Sequence, residues 1–199
     1  MPTLWRLCDT RWAAGAFDGE GAARYPGRWN SEGRKAVYCA ATRSLAALEI
    51  LSHVEDRALL AKAHFTALPI DVSEDQIQVL KRLPEGWDRI PPGGITRSIG
   101  DQFLESAKHP VLRIPSAVVR GEFNYLLNPR HPAFSGLRVG KAEPFAFDPR
   151  LAHTCSENKP SAPGRSAKKK PADKKLRTPK SSPLSARTQR GPSAPKSPS

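Results

Sequence analysis

The 199-residue sequence predicts an α+β domain around a mixed, mostly antiparallel sheet, followed by a disordered basic extension. Three observations lead there. Strand-like and helix-like runs are mixed without regular β-α-β alternation, which points away from a doubly wound parallel sheet. No internal repeat is found, so solenoids and propellers are excluded. The hydrophobic content of 38% is low and the count of 20 prolines is high for a wholly globular chain, and both trace to a change of composition at about His153. From there the chain has almost no aliphatic and no aromatic residue. Such a stretch buries too little apolar surface to offset the entropy of ordering it. The folded part is therefore read as residues 1–152 and the Pro/Ser/Lys-rich tail as 153–199.

Each element follows from its local pattern. "TLWRLCD" alternates as a short strand. "AAGAFDGEGAARYPGRWNSEGR" has no apolar period and is read as a long loop, a length more often functional than idle. "KAVYCAA" is strand-like. "TRSLAALEILSHV" is a helix with Thr42 or Ser44 as N-cap, Ala47, Ile50, Leu51 and Val54 on one face, and Glu49 beside that stripe. "AKAHFTALPIDV" is the next strand, and "SEDQIQVL" opens on a capping box, predicting a short helix. After the loop "PEGWDRIPPGG", "ITRSIGDQFLESAKH" predicts a helix that buries Ile95, Ile99, Phe103 and Leu104 and stops before Pro110. "PVLRIPSAVV" and "EFNYLLN" are two more strands separated by "RGE". "PRHPAFSGLRVGKAEPFAFDPRL" supplies a final strand or two.

Charge and cysteine usage bound the class. Twelve Lys and Arg against two Asp and Glu beyond residue 152 carry +10 of the formal +13, which leaves +3 for the folded part. The tail thus suits non-specific binding of nucleic acid or another polyanion through counterion release; a solvated extension without a dedicated partner is the alternative. Cys8, Cys39 and Cys155 show no C-x-x-C or Cys/His ligand spacing, and an odd count argues against a disulfide framework. Reduced thiols, no apolar leader and no membrane-length run predict a cytoplasmic protein without a membrane partner.

The chemistry-bearing motifs are first notable for what is missing. The sequence has no P-loop, no G-x-S-x-G elbow, no H-E-x-x-H and no G-x-G-x-x-G after a strand, so no metal site is expected. Ser116 and His131 lack the context of a nucleophile and its base. What remains is Arg6, Arg28, Tyr38, Glu49, Ser116 and Asn124, polar residues set in strand- or helix-like runs. Each has an ordinary structural reading: Arg28 stacked on Trp29, Tyr38 half-buried on a strand, Glu49 on a helix surface, Ser116 in a post-proline turn, Asn124 at a strand edge.

The run "FDGEGAARYPGRWNSEGRKAVYCAATRSLAALEILSH" resembles the RES domain family, toxins of a bacterial type II toxin–antitoxin class. "RIPSAVVRGEFNYLLNPRHPAF" and "FAFDPRL" match the same family in the same order, so the resemblance spans the folded part. "YPGRWN" departs from the usual pattern by a proline where a second glycine is common, and the tail is no part of it. The resemblance implies an ADP-ribosyltransferase-like fold and a reaction on NAD+ as substrate, with no added cofactor: cleavage of the nicotinamide–ribose bond, by phosphorolysis or hydrolysis or with transfer to a protein. It carries the family's arginine onto Arg28, its tyrosine onto Tyr38, its glutamate onto Glu49 and its serine onto Ser116, with Arg6 a second NAD-contacting arginine. It also implies an Xre-like helix-turn-helix antitoxin that covers the active site and through which the complex binds DNA.

The residue types suit that chemistry on their own terms. Loss of nicotinamide leaves positive charge on the ribose, an oxocarbenium-like state of the kind met in glycoside hydrolysis. A fixed carboxylate at Glu49 stabilises it. A pyrophosphate calls for a planar, permanent cation such as Arg28. Tyr38 offers a ring face and a hydroxyl to the nicotinamide, Ser116 a hydrogen bond to the carboxamide or ribose, and Asn124 a brace for a neighbouring loop.

Overall fold

The computed structural model of the chain describes residues 1–152; the extension 153–199 lies outside the described residues. In chain order the strands are β1 (Thr3–Asp9), β2 (Val37–Ala40), β3 (Phe65–Asp71), β4 (Ile77–Val79), β5 (Val111–Pro115), β6 (Phe123–Leu127), β7 (Arg138–Val139) and β8 (Glu143–Phe145). The helices are α1 (Glu20–Arg24), α2 (Arg43–His53), α3 (Ala58–Lys62), α4 (Gly94–Ser106) and α5 (Pro149–Ala152). The strands form one sheet in the order β4-β5-β6-β2-β1-β3-β7, with β8 also on β3. Only β4–β5 is parallel among the described pairs. The fold is thus the mixed, mostly antiparallel α+β arrangement that the mixed order of elements predicts.

The sheet has a weak seam between its two halves. β1 pairs with β3 along its whole length but meets β2 only at Trp5↔Ala40. On one face, α2 covers β1 and β3 through Leu45 and Ala46 packed with Leu7, Ala40 and Ala67. On the same face, α4 covers β5 and β6 through Phe103 packed with Leu112, Ile114 and Leu126. Registers Tyr38↔Leu126 and Ala40↔Asn124 put Tyr38 and Asn124 on that face, in the strip between the two helices. The opposite face holds a third core of Leu4, Val37, Cys39, Ile70, Val111 and Leu127. Among the described residues no helix is long and apolar enough to cross a membrane.

Four local readings differ from the structure. The capping box of Ser73 and Gln76 forms, but it closes only a 3-10 turn. Ile77–Val79 then extend as β4, because pairing with Val111–Arg113 satisfies a backbone that three further helical residues would not. The long glycine-rich loop starts inside a 3-10 turn over Thr10–Gly15 and contains the short α1. Residues 58–62, read in part as the start of a strand, form α3. Ile95 is 54% exposed rather than buried; α4 instead packs Ile99, Phe103 and Leu104 inward.

Candidate active site

Glu49 is brought to the sheet by α2. Thr42 caps that helix, its Oγ1 accepting from the Leu45 amide at 3.0 Å. Leu45 and Ala46 are its buried residues, and Glu49 follows them by four and three positions, so it shares their face. It is half-buried. One carboxylate oxygen, Oε1, accepts from Ser116 Oγ at 2.8 Å and from Asn124 Nδ2 at 2.5 Å.

Both donors are themselves held. Ser116 is buried just past β5, its amide on the Glu122 carbonyl at 2.9 Å. Its hydroxyl accepts from the amides of Val118 (3.1 Å) and Val119 (3.0 Å). With both lone pairs used, its single proton goes to Glu49. Asn124 sits on β6, in register with Ala40 and Ile114. Since a carboxylate only accepts, its amide nitrogen must face Glu49; its Oδ1 is buried and has no partner among the described residues.

Arg28 lies in a turn built around Asn30, a residue without a signal of its own in the residue pattern. Asn30 is fully buried. Its Nδ2 donates to the carbonyls of Ala22, Ser31 and Arg34, while its Oδ1 accepts from the Gly27 amide and the Tyr38 hydroxyl. The same hydroxyl accepts from the Trp29 amide at 3.1 Å. Tyr38 thus supports the turn from below, and burial pushes its hydroxyl well above the usual tyrosine range. A side chain at Gly27 would strike that hydroxyl, its Cβ only 2.6 Å away. Arg28 Nη1 donates to the carbonyls of Trp87 and Arg89, both at 2.8 Å.

Glu49, Ser116 and Asn124 therefore form one hydrogen-bonded group. Tyr38, two residues back along β2 on the same face of the sheet, bonds Asn30 and the Trp29 amide of the turn that carries Arg28, and this turn with Tyr38 makes the second polar group. Arg6 stands apart from both. Strand alternation puts it with Leu4 and Cys8 on the other face, and its Nη1 donates to the Tyr38 carbonyl at 3.1 Å. Its buried Nε has no partner among the described residues. Two cavities, of about 310 Å³ beside Gln78 and Lys108 and about 540 Å³ beside His64 and Phe145, lie away from Glu49.

The RES domain model matches residues 3–148, nearly all of the described part. The chain belongs to the RES domain family. Among curated relatives it is 39% identical over 152 residues to Toxin Res of Yersinia enterocolitica, covering 74% of this chain and 98% of that protein. It is 32% identical over 154 residues to the Prs ADP-ribosylating toxin of a Sphingobium strain, covering 75% and 96%. Among solved structures, the MbcT–MbcA toxin–antitoxin complex of M. tuberculosis superposes with a TM-score of 0.58 at 18% identity, over 75% of this chain and 86% of that one. That likeness concerns the fold. The RES match covers every residue of both polar groups, including Asn30.

Proposed function

We propose that this RES-family chain is the toxin of a toxin–antitoxin pair and that it consumes NAD+ by cleaving the nicotinamide–ribose bond. The observation that carries the reading is the Glu49 carboxylate. Ser116 and Asn124 fix it through Oε1 alone, and among the described residues Oε2 accepts no hydrogen bond. Oε2 is the atom that would face the sugar. As the bond from C1′ to the nicotinamide nitrogen breaks, its electron pair neutralises the departing ring, and positive charge develops at C1′. A carboxylate already oriented stabilises that charge without reorganising. An oxygen of water or phosphate then bonds C1′, and a proton leaves the attacking water or phosphate. Arg28 would hold the pyrophosphate, with Tyr38 beneath its turn, and Arg6 holds Tyr38's strand through its carbonyl.

The relatives' names support the toxin half of this reading, and the structural neighbour supports an antitoxin partner. An Xre-like antitoxin that covers the Glu49 site and brings the complex to DNA is part of the same proposal. A second reading is favoured by one observation, the relative named as an ADP-ribosylating toxin: the acceptor would be a protein side chain rather than water or phosphate. Purified protein given labelled NAD+, with phosphate, without it, and with cell extract, separates the three. Free ADP-ribose marks hydrolysis, its 1″-phosphate phosphorolysis, and label on protein a transferase. Intact NAD+ in every arm sinks the proposal.

A further inference from the structure

The segment of residues 84–92 connects the two polar groups. It is a folded turn: the Trp87 amide donates to the Pro84 carbonyl and the Arg89 amide to that of Gly86, whose φ of +66° suits a glycine. Trp87 packs against the α4 core that contains Trp29. At its tip Asp88 pairs with Arg120 at 3.1 Å. Arg120 belongs to the turn that follows Ser116, closed by the Glu122 amide on the Val119 carbonyl. The tip of the strap thus makes both ties: the carbonyls of Trp87 and Arg89 hold Arg28, and Asp88 between them reaches the turn that holds the partner of Glu49.

The bonds to Arg28 are selective. A guanidinium Nη has two protons, and both on Nη1 go to the Trp87 and Arg89 carbonyls. Among the described residues Nε and Nη2 donate to nothing, and those two N–H groups form one of the parallel edges with which arginine grips two oxygens of one anion. We propose that the 84–92 strap is a positioning device. It consumes one nitrogen of Arg28 so that the Nε–Nη2 edge is presented to the pyrophosphate of the dinucleotide, and the Asp88–Arg120 pair holds it in register with the Glu49 side. The inference rests on the NAD+ reading above and adds Asp88 and Arg120 as positioning residues.

The pair is open to solvent, Arg120 at 90% and Asp88 at 37% of side-chain exposure, so its loss shifts the strap by only a few-fold. Reversing one charge does more. The test compares wild type, D88R, R120D and D88R/R120D, measuring KM and kcat for NAD+ together with the side-chain ¹⁵N NMR signals of Arg28. D88R and R120D each raise KM about five- to tenfold with kcat within about twofold, and the double swap returns KM to within about threefold of wild type. Wild type and the double swap show separate, slowly exchanging Nη signals; the single variants show an averaged one. An unchanged KM in the single variants, a fall in kcat at constant KM, or a swap that restores nothing overturns the inference. Wild type that turns over NAD+ with an averaged Arg28 signal overturns this inference alone. Wild type with a fixed Arg28 and no turnover overturns the NAD+ reading, and the pyrophosphate assignment with it.

Discussion

At the scale of single residues, charge and hydrogen bonding at Glu49 separate cleanly. Glutamine there keeps an oxygen for Ser116 and Asn124 and removes only the charge. Glu49→Gln should therefore leave the melting temperature within a degree or two of wild type, while NAD+ consumption falls about 10²–10³-fold, the scale of losing one preorganised electrostatic group. Quantifying NAD+ over time beside a thermal melt checks both halves, and an active Glu49→Gln protein would remove Glu49 from the chemistry. Tyr38 gives a prediction in the opposite sense, on stability. Its hydroxyl links the Trp29 amide to Asn30, so Tyr38→Phe leaves the Trp29 amide without that acceptor, takes one of two donors from Asn30 Oδ1, and costs about 1–3 kcal/mol at pH 8. The sign with pH follows from the raised pKa. The folded state holds the phenol proton more tightly than the unfolded one, so the stabilisation is complete below the ordinary value of 10.0 and is lost as pH rises beyond it. Urea unfolding at pH 8 and again near pH 11 should show the gap between wild type and Tyr38→Phe narrowing. A constant gap would mean the hydroxyl titrates alike in both states.

At the scale of elements, α4 and the "GRWN" turn meet backbone to backbone. A Cβ at Gly100 would stand 1.7 Å from the Trp29 carbonyl oxygen, a backbone atom that moves only with its turn. Gly→Ala inside a helix ordinarily stabilises by about 1 kcal/mol. Here Gly100→Ala should instead destabilise by about 3 kcal/mol or more and weaken NAD+ binding, because the displaced turn carries Arg28. Denaturant midpoints and KM for NAD+ measure the two effects together. The same contact shows where sequence reading stops. β1 is read at its observed limits, since its alternation is local, and α2 is read from its cap and apolar stripe. β4 is misread as helix because its strand character comes from β5, more than thirty residues on in the chain. The site divides in the same way. Glu49, Ser116, Arg28, Tyr38 and Asn124 stand out as polar residues in apolar runs or in a glycine turn, whereas Asn30, Gly100 and the strap acquire meaning only when distant segments meet.

At the scale of the whole molecule, the family match and the excess of basic charge fall on different parts of the chain. The RES match ends at residue 148, and the Yersinia relative aligns over 98% of its own length within 152 residues. Every hydrogen bond of both polar groups lies within the same span. The +10 charge of residues 153–199 lies outside that match and suits a polyanion, which it would bind by releasing counterions. A chain ending at Ala152 should keep its melting temperature and its kcat and KM for NAD+ within about twofold. Binding to a heparin column or a random DNA duplex should fall sharply. For the full chain, log affinity should decline linearly with log salt at a slope set by the number of phosphates neutralised, about −0.9 each on duplex DNA. Loss of NAD+ turnover on truncation would instead make the tail part of the catalytic unit. Because the folded part carries only +3, retention of strong salt-dependent binding after truncation would require a basic surface on the domain, and the antitoxin would then not be the main route to DNA.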